Sequence, residues 1–111
     1  MILNPDGVRN QIEGNVVQGV SRALFEEVMF DANGVTSLDW KSYPILKFTD
    51  LPELDVVLIN RPEIPPLGAG EPATIPLAAS IANAFFDATG ARLYDGPFTP
   101  KRALAALAQK A

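Results

Sequence analysis

Apolar residues recur at every fourth position near the start of the chain, and this spacing predicts a long helix. The repeated positions run from Val8 to Val28. Asn4-Pro5 precedes them, and an asparagine cap followed by proline in the first turn is a typical helix start. A spacing of four drifts around a helix of about 3.6 residues per turn, so the apolar face is broad. We therefore expect a helix that ends near Glu26 and is buried on more than one side.

The pattern changes to a β type after this helix. Residues 28–30 (Val-Met-Phe) are apolar and residues 35–38 read Val-Thr-Ser-Leu, and these two runs flank the turn sequence of residues 31–34, Asp-Ala-Asn-Gly. Asn-Gly between two such runs is a strong hairpin signal. Residues 54–59 are apolar except at Asp55, which predicts a further, mostly buried strand.

Two more helices are predicted in the second half of the chain. Residues 73–88 are apolar nearly all round and are followed by Thr89-Gly90, a typical stop, so we expect a buried helix. Thr99-Pro100 begins a short alanine-rich helix at the C-terminus. The predicted fold class is α+β, in a single domain over residues 1–111: a long N-terminal helix, a β-hairpin plus a further strand, a Gly-Glu-Pro loop, a buried helix and a short C-terminal helix.

A loop rich in proline and glycine connects the further strand to the apolar helix. Half of the ten prolines lie between Pro62 and Pro76, and Gly68 and Gly70 lie just before Glu71. One interpretation of Glu71 is a carboxylate that caps the helix behind it, where unpaired N–H groups favour negative charge. The other is a general base held beside a ligand that approaches the glycine backbone.

The first helix also carries polar residues and glycines that allow two interpretations. Gln11 and Gln18 lie on one side of it, and composition alone favours a solvated face. Asn15 lies on the same side, which makes a polar, hydrogen-bonding stripe. Gly14 and Gly19 weaken a helix by roughly 1 kcal/mol each relative to alanine. Close packing against a neighbouring element is the ordinary reason for such glycines, and a ligand near the backbone is the alternative.

Composition removes several classes of function. The 111 residues carry a net charge of −4, which argues against a nucleic-acid partner. The absence of cysteine and histidine excludes thiol nucleophiles, iron–sulfur ligation, Ser-His-Asp chemistry and most zinc sites within this sequence. We therefore expect no metal-ligating residue in the chain. The sequence also has no apolar run of transmembrane length, so no transmembrane segment is expected.

Several stretches together resemble one enzyme family. They are Asn4-Pro-Asp, residues 11–19 (Gln-Ile-Glu-Gly-Asn-Val-Val-Gln-Gly), residues 24–27 (Leu-Phe-Glu-Glu), residues 68–76 (Gly-Ala-Gly-Glu-Pro-Ala-Thr-Ile-Pro) and residues 82–90. In this order and spacing they resemble the C-terminal part of the molybdopterin-binding (large) subunit of the xanthine dehydrogenase/aldehyde oxidase family of molybdenum hydroxylases. The last stretches most resemble the bacterial branch with isoquinoline 1-oxidoreductase and related aldehyde dehydrogenases.

The resemblance implies an oxidoreductase that hydroxylates an aldehyde or an N-heterocycle, with water as the oxygen source. Glu71 matches the family's catalytic glutamate, which takes a proton from the attacking hydroxide. Gln11 matches a glutamine that hydrogen-bonds the pterin, and Gly70 leaves room beside the metal. The implied cofactors are a molybdopterin cytosine dinucleotide and, in a partner subunit, a 2Fe-2S cluster.

The family's subunit is several times longer than this sequence, and most of its cofactor and substrate contacts have no counterpart here. The resemblance therefore implies that the isolated chain is inactive. Its expected partners are the remainder of the molybdenum subunit and a small iron–sulfur subunit. The alternative is a non-catalytic truncated remnant or assembly piece that packs on a partner through its apolar helix. The compartment, bacterial cytoplasm or periplasm, is left open.

Overall fold

Three helices and one small antiparallel sheet make up the regular structure of residues 1–110, the part that the computed structural model describes. The predicted α+β fold class is confirmed. Ala111, with which the predicted domain and its last helix end, lies outside the described residues. In chain order the elements are α1 (Pro5–Leu24), β1 (Phe30–Asp31), β2 (Gly34–Val35), α2 (Leu77–Thr89) and α3 (Pro100–Lys110), with 3₁₀ turns at Phe48–Asp50 and Pro72–Thr74.

Helix α1 begins where the sequence predicts. The Asn4 side chain accepts a hydrogen bond from the Gly7 N–H at 2.8 Å, and Pro5 occupies the first turn. Because proline there gives up an N–H that has no helical partner, this start is favourable. The helix ends at Leu24, two residues earlier than predicted, and the Phe25 N–H closes it on the Ser21 carbonyl at 2.9 Å.

Helix α1 packs through small residues instead of its apolar stripe. Its buried residues are Asn15, Gly19, Ser21 and Ala23, whereas the stripe that begins at Val8 is only half-buried. A Cβ atom at Gly19 would lie 3.2 Å from the Cβ of Leu77, so this glycine permits the close approach of α1 and α2. Gly19 and Ser21, two positions apart, lie on roughly opposite sides of the helix. Helix α1 is therefore buried on more than one side, as predicted, but through small residues and not through the apolar stripe.

The predicted hairpin is confirmed, with shorter strands. Phe30 pairs with Val35 and Asp31 with Gly34. Gly34 has a φ of 129°, a left-handed value that a side chain would disfavour, and the Asn33 N–H donates to the Asp31 carboxylate at 2.7 Å. All four strand residues are exposed.

Two expectations about buried elements are wrong. Residues 54–59 form no strand, because no other segment in the described chain pairs with them. Helix α2 has no buried residue, because the elements it contacts, chiefly α1, cover one side of it. Gly90 ends α2 with a φ of 69°, as predicted, and Arg102 near the start of α3 makes an ion pair with Glu27 after α1.

The chain exposes more surface than a protein of its mass normally does. Its accessible surface is 8355 Å², against about 5,900 Å² for a folded 11.9 kDa monomer. Its radius of gyration is 17.3 Å, against about 13 Å for a compact domain of this length. Up to Gln109, the buried residues are small or polar: Asn15, Gly19, Ser21, Ala23, Ala91 and Pro97. The described residues therefore hold no core of large side chains.

None of the helices within residues 1–110 combines the length and the apolar character needed to cross a bilayer.

Candidate functional site

Glu71 lies on the loop before α2, with its side chain exposed. Its carbonyl accepts the Thr74 N–H at 3.0 Å and so begins the 3₁₀ turn. Its carboxylate makes no capping hydrogen bond, and α2 begins only at Leu77, after Pro76. The capping interpretation of Glu71 is therefore wrong. Among residues 1–110, the structure shows no hydrogen bond or ion pair to this carboxylate, so its oxygens remain available to a ligand.

The three residues that the sequence proposes as a site lie around one shallow cavity. Glu71, Gly70 and Gln11 all line a cavity of about 300 Å³ between α1 and the loop. The other lining residues are Asn10, Gly14, Asn15 and Gln18. Gln11 is distant from Glu71 in sequence, so only the fold brings its amide and the Glu71 carboxylate to the same cavity.

A second, larger cavity adjoins the first at Gln11 and Gly70. It has a volume of about 580 Å³, and these two residues belong to both cavities. Its remaining wall is mostly apolar and comes from the first residues of the chain and from the loop: Met1, Ile2, Leu3, Asn4, Gly7, Val8, Pro66, Leu67 and Ala69. A ligand longer than either cavity could therefore extend past Gln11 from one to the other.

Asn15 connects α1 to the loop that carries Glu71. Its side-chain N–H₂ donates to the Gln11 carbonyl at 2.7 Å and also to the Gly70 carbonyl. Its side-chain oxygen accepts a hydrogen bond from the Thr74 hydroxyl. These contacts hold the residues on both sides of Glu71 against the helix. The loop is also held earlier, because the Ile2 N–H donates to the Asn60 side chain at 3.0 Å.

Gln11 and Gln18 are exposed, as the solvated interpretation expects, whereas Asn15 on the same side of the helix is buried. The sequence contains a usable signal, since Asn15, Gly19 and Ala23 are each four residues apart and form a line of small residues on one helix face. Such a line permits a close approach of other backbone, and a polar residue within it needs a partner. Residues 11–19, one of the stretches that resemble the family, include Asn15, but the resemblance implies no role for this residue.

Replacing Asn15 by leucine is expected to destabilise the protein by about 1–3 kcal/mol, because the Gly70 carbonyl and the Thr74 hydroxyl lose their partner. Urea unfolding followed by circular dichroism measures this change. Asn10→Leu is the matched control, since Asn10 is an exposed amide on the same helix, and surface changes usually stay within about 0.5 kcal/mol. Equal unfolding midpoints for Asn15→Leu and wild type would contradict the positioning role of Asn15.

Two of the residues that line the smaller cavity, Gly14 and Gly70, are glycines and place no side chain in it. A Cβ atom at Gly14 or at Gly70 would meet no other atom within 4 Å. Gly14 therefore differs from Gly19, which packs against Leu77. Backbone at both open glycines is accessible to a large ligand. Among residues 1–110, no group of three or more acidic, histidine or cysteine side chains is placed to hold a metal ion.

The ionisable groups with perturbed pKa values lie away from this cavity. The Arg102 guanidinium donates to both Glu27 oxygens, at 2.6 and 3.0 Å, and lowers the pKa of Glu27. The Tyr43 hydroxyl donates to Glu26 at 2.8 Å, which raises the pKa of Tyr43. Neither pair lines the Glu71 cavity. Both pairs join segments near the end of α1, so we interpret them as structural.

Comparison with known proteins gives consistent matches. Residues 1–52, which include Gln11 but not Glu71, match the model of the molybdopterin cofactor-binding domain. The crystal structure of quinoline 2-oxidoreductase from Pseudomonas putida 86 is similar to this chain with a TM-score of 0.81 and 25% sequence identity. The match covers 97% of this chain and 15% of that one.

Three curated relatives also match most of this chain. A nicotinate dehydrogenase subunit of Pseudomonas putida is 52% identical over 96% of this chain. The xanthine dehydrogenase molybdenum-binding subunit of Escherichia coli O157:H7 is 39% identical over 91% of it, and the beta subunit of isoquinoline 1-oxidoreductase from Brevundimonas diminuta is 31% identical over 90%. The chain spans only 9%, 14% and 13% of the length of these three relatives.

Proposed function

We propose that this chain is a segment of the molybdenum-binding subunit of a xanthine dehydrogenase/aldehyde oxidase-type enzyme. On this premise, the chain supplies the catalytic glutamate and part of the molybdopterin site. The observation that carries the proposal is the arrangement of Gln11, Gly70 and Glu71 around one open cavity. The segment is the C-terminal one in this proposal. The reaction, the substrate and the partners below belong to the whole enzyme.

The residues around the cavity fit the organic part of a molybdenum cofactor. The Gln11 amide offers both a donor and an acceptor, as the edge of a pterin requires. Because Gln11 borders both cavities, it can contact a group that extends beyond the pterin, such as a cytosine dinucleotide. Gly14 and Gly70 leave the backbone accessible to such a group. When bound, the cofactor supplies a metal that accepts two electrons from the substrate.

Glu71 acts in this proposal as the general base. Its carboxylate oxygens can accept a proton because the structure pairs them with no other side chain in residues 1–110. The contacts of Asn15 with the Gly70 carbonyl and the Thr74 hydroxyl hold the backbone on both sides of Glu71. A fixed carboxylate close to the reacting oxygen is what general-base catalysis requires.

The names of the relatives support a proposal for the substrate class. We propose a small N-heterocycle, with an aldehyde as the second candidate, because the matched proteins include ones named for nicotinate, isoquinoline and quinoline. A small iron–sulfur subunit would hold a 2Fe-2S cluster that could accept the electrons. The remainder of the molybdenum subunit supplies the other cofactor contacts and the substrate pocket.

Gln11→Ala tests the binding part of the proposal. In the assembled enzyme, losing one or two hydrogen bonds of about 1–1.5 kcal/mol each is expected to weaken cofactor binding by roughly 5- to 150-fold. Metal analysis measures molybdenum per protein, pterin fluorescence measures pterin per protein, and turnover is then expressed per molybdenum atom. Occupancy falls, and the surviving sites keep their rate. Gln109→Ala, an exposed glutamine on α3 that borders neither cavity, is the control. Normal occupancy in Gln11→Ala would contradict the role of Gln11.

The alternative function is a non-catalytic assembly piece. It is favoured by the large exposed surface, since an assembly piece also needs apolar surface for a partner. The two functions differ in metal content: a complex that contains this chain and carries molybdenum supports the enzyme, and a stable complex without molybdenum supports the assembly piece.

A further inference from the structure

Residues 54–59 form an irregular segment whose backbone makes no hydrogen bond within residues 1–110. The backbone hydrogen bonds of residues 1–110 outside the helices and strands include none to this segment. No side chain of the described chain bonds to its backbone either. The N–H and C=O groups along both edges of the segment are therefore left to water, whereas native proteins pair or protect such edges.

The burial pattern of this segment is that of a strand. Leu54, Val56 and Leu58 are half-buried, and the residues between them are exposed. This alternation with period two is what a β-strand with one covered face produces. The outward face carries the charged Asp55 at its start and is apolar beyond it, since Val57 and Ile59 are each 78% exposed. A strand that is apolar on both faces over most of its length is typical of the interior of a sheet that is covered on both sides.

The surface of the whole chain indicates what covers this segment. The excess over a compact monomer is about 2,400 Å², whereas a standard interface covers about 800 Å² on each partner. The excess is spread along the chain, since Phe48 and Leu67 are each 90% exposed. A second copy meeting one face of the chain would leave most of this surface open. The similar solved structure is a single chain of which this one covers 15%, so the rest of such a subunit is large enough to surround it.

We propose that residues 54–59 are a strand of a β-sheet whose neighbouring strands lie in the remainder of the molybdenum subunit, which also covers Val57 and Ile59. The inference rests on the proposed function, because it takes that subunit as the partner. Backbone pairing supplies the affinity, and the exposed apolar side chains select an apolar layer.

The sheet also positions the site. The segment runs directly into the loop that carries Glu71, and Asn60 at its end is already bonded to the Ile2 N–H. Pairing residues 54–59 therefore fixes the first end of the loop, while Asn15 holds the second end at Gly70.

Hydrogen exchange with mass spectrometry tests this inference in the assembled enzyme. The amides of residues 55–59 are expected to exchange at least 100-fold more slowly than their intrinsic rates, because strand pairing protects them. Exchange at intrinsic rates in the assembled enzyme overturns the inference. Protection that appears in the chain expressed alone and rises with its concentration also overturns it, because the partner is then a second copy.

A pair of variants separates backbone pairing from side-chain packing. Val57→Pro removes the N–H, whereas Val57→Thr keeps the N–H and the branched shape. We expect Val57→Pro to reduce the yield of assembled enzyme at least tenfold and Val57→Thr to reduce it less than threefold. Equal yields for the two variants overturn the inference. The wild-type exchange measurement decides independently if Val57→Pro does not fold.

The outcomes also separate this inference from the proposed function. If the amides of residues 55–59 are unprotected and Glu71→Gln loses turnover, the inferred sheet is wrong and the catalytic role of Glu71 is supported. If the same amides are protected and Glu71→Gln keeps its rate per molybdenum, the catalytic role of Glu71 is wrong and the inferred sheet is supported.

Discussion

Glu71→Gln in the assembled enzyme is expected to lower turnover per molybdenum atom by about 10²- to 10⁴-fold, the usual contribution of a general base. Glutamine keeps the size of the side chain but cannot accept the proton. The structure shows no hydrogen bond from the described residues to the Glu71 carboxylate, so the substitution breaks no contact that holds the loop. Cofactor content is therefore expected to stay near normal. Steady-state kinetics normalised to molybdenum content measures the effect.

Two further variants sharpen this test. Glu71→Asp keeps a carboxylate but withdraws it by one methylene, so its rate should fall between those of wild type and Glu71→Gln. Glu53→Gln removes an exposed carboxylate that lines neither cavity, and it should leave turnover unchanged. A rate per molybdenum in Glu71→Gln within about threefold of wild type is far below a general-base effect and would show that Glu71 is not the base.

The second large effect concerns the chain purified by itself, which is expected to retain no molybdenum and to have no hydroxylase activity. Gln11 and Glu71 belong to open cavities, and residues 1–110 contain no cluster of side chains that could hold a metal. A cofactor held from one side keeps most of its surface in water, so its dissociation is expected to be fast. Metal analysis after gel filtration measures the content.

The control for this prediction is the same chain isolated as part of the assembled enzyme, which should carry molybdenum in proportion to protein. Stoichiometric molybdenum in the isolated chain would mean that this segment holds the cofactor without the rest of the subunit. It would also contradict our proposal that the remainder of the subunit supplies the other cofactor contacts.

Elements with local signals could be predicted from the sequence. Asn4 and Pro5 determine the start of α1, because the cap needs only the next few residues. The turn at residues 31–34 specifies the hairpin, since Gly34 accepts a φ that other residues avoid. Gly90 ends α2 for the same reason. In each case the decisive interaction spans at most five residues of chain.

Elements that depend on distant partners could not be predicted in the same way. Residues 54–59 have the composition of a strand, but a strand exists only where another strand pairs with it. Glycines 14 and 19 look alike in the sequence, and only the position of Leu77 makes one a packing contact and leaves the other open to the cavity. The buried state of Asn15 likewise depends on Gly70 and Thr74.

The candidate site depends both on local sequence signals and on contacts between distant residues. The sequence by itself determined which residues are candidates, because Gln11, Gly70 and Glu71 lie in stretches that resemble one family. Only the tertiary structure decided that they share a cavity and that Glu71 caps no helix. The physical reason is the hydrogen bond from Asn15 to the Gly70 carbonyl, which joins residues 55 positions apart and therefore has no local signature in the sequence.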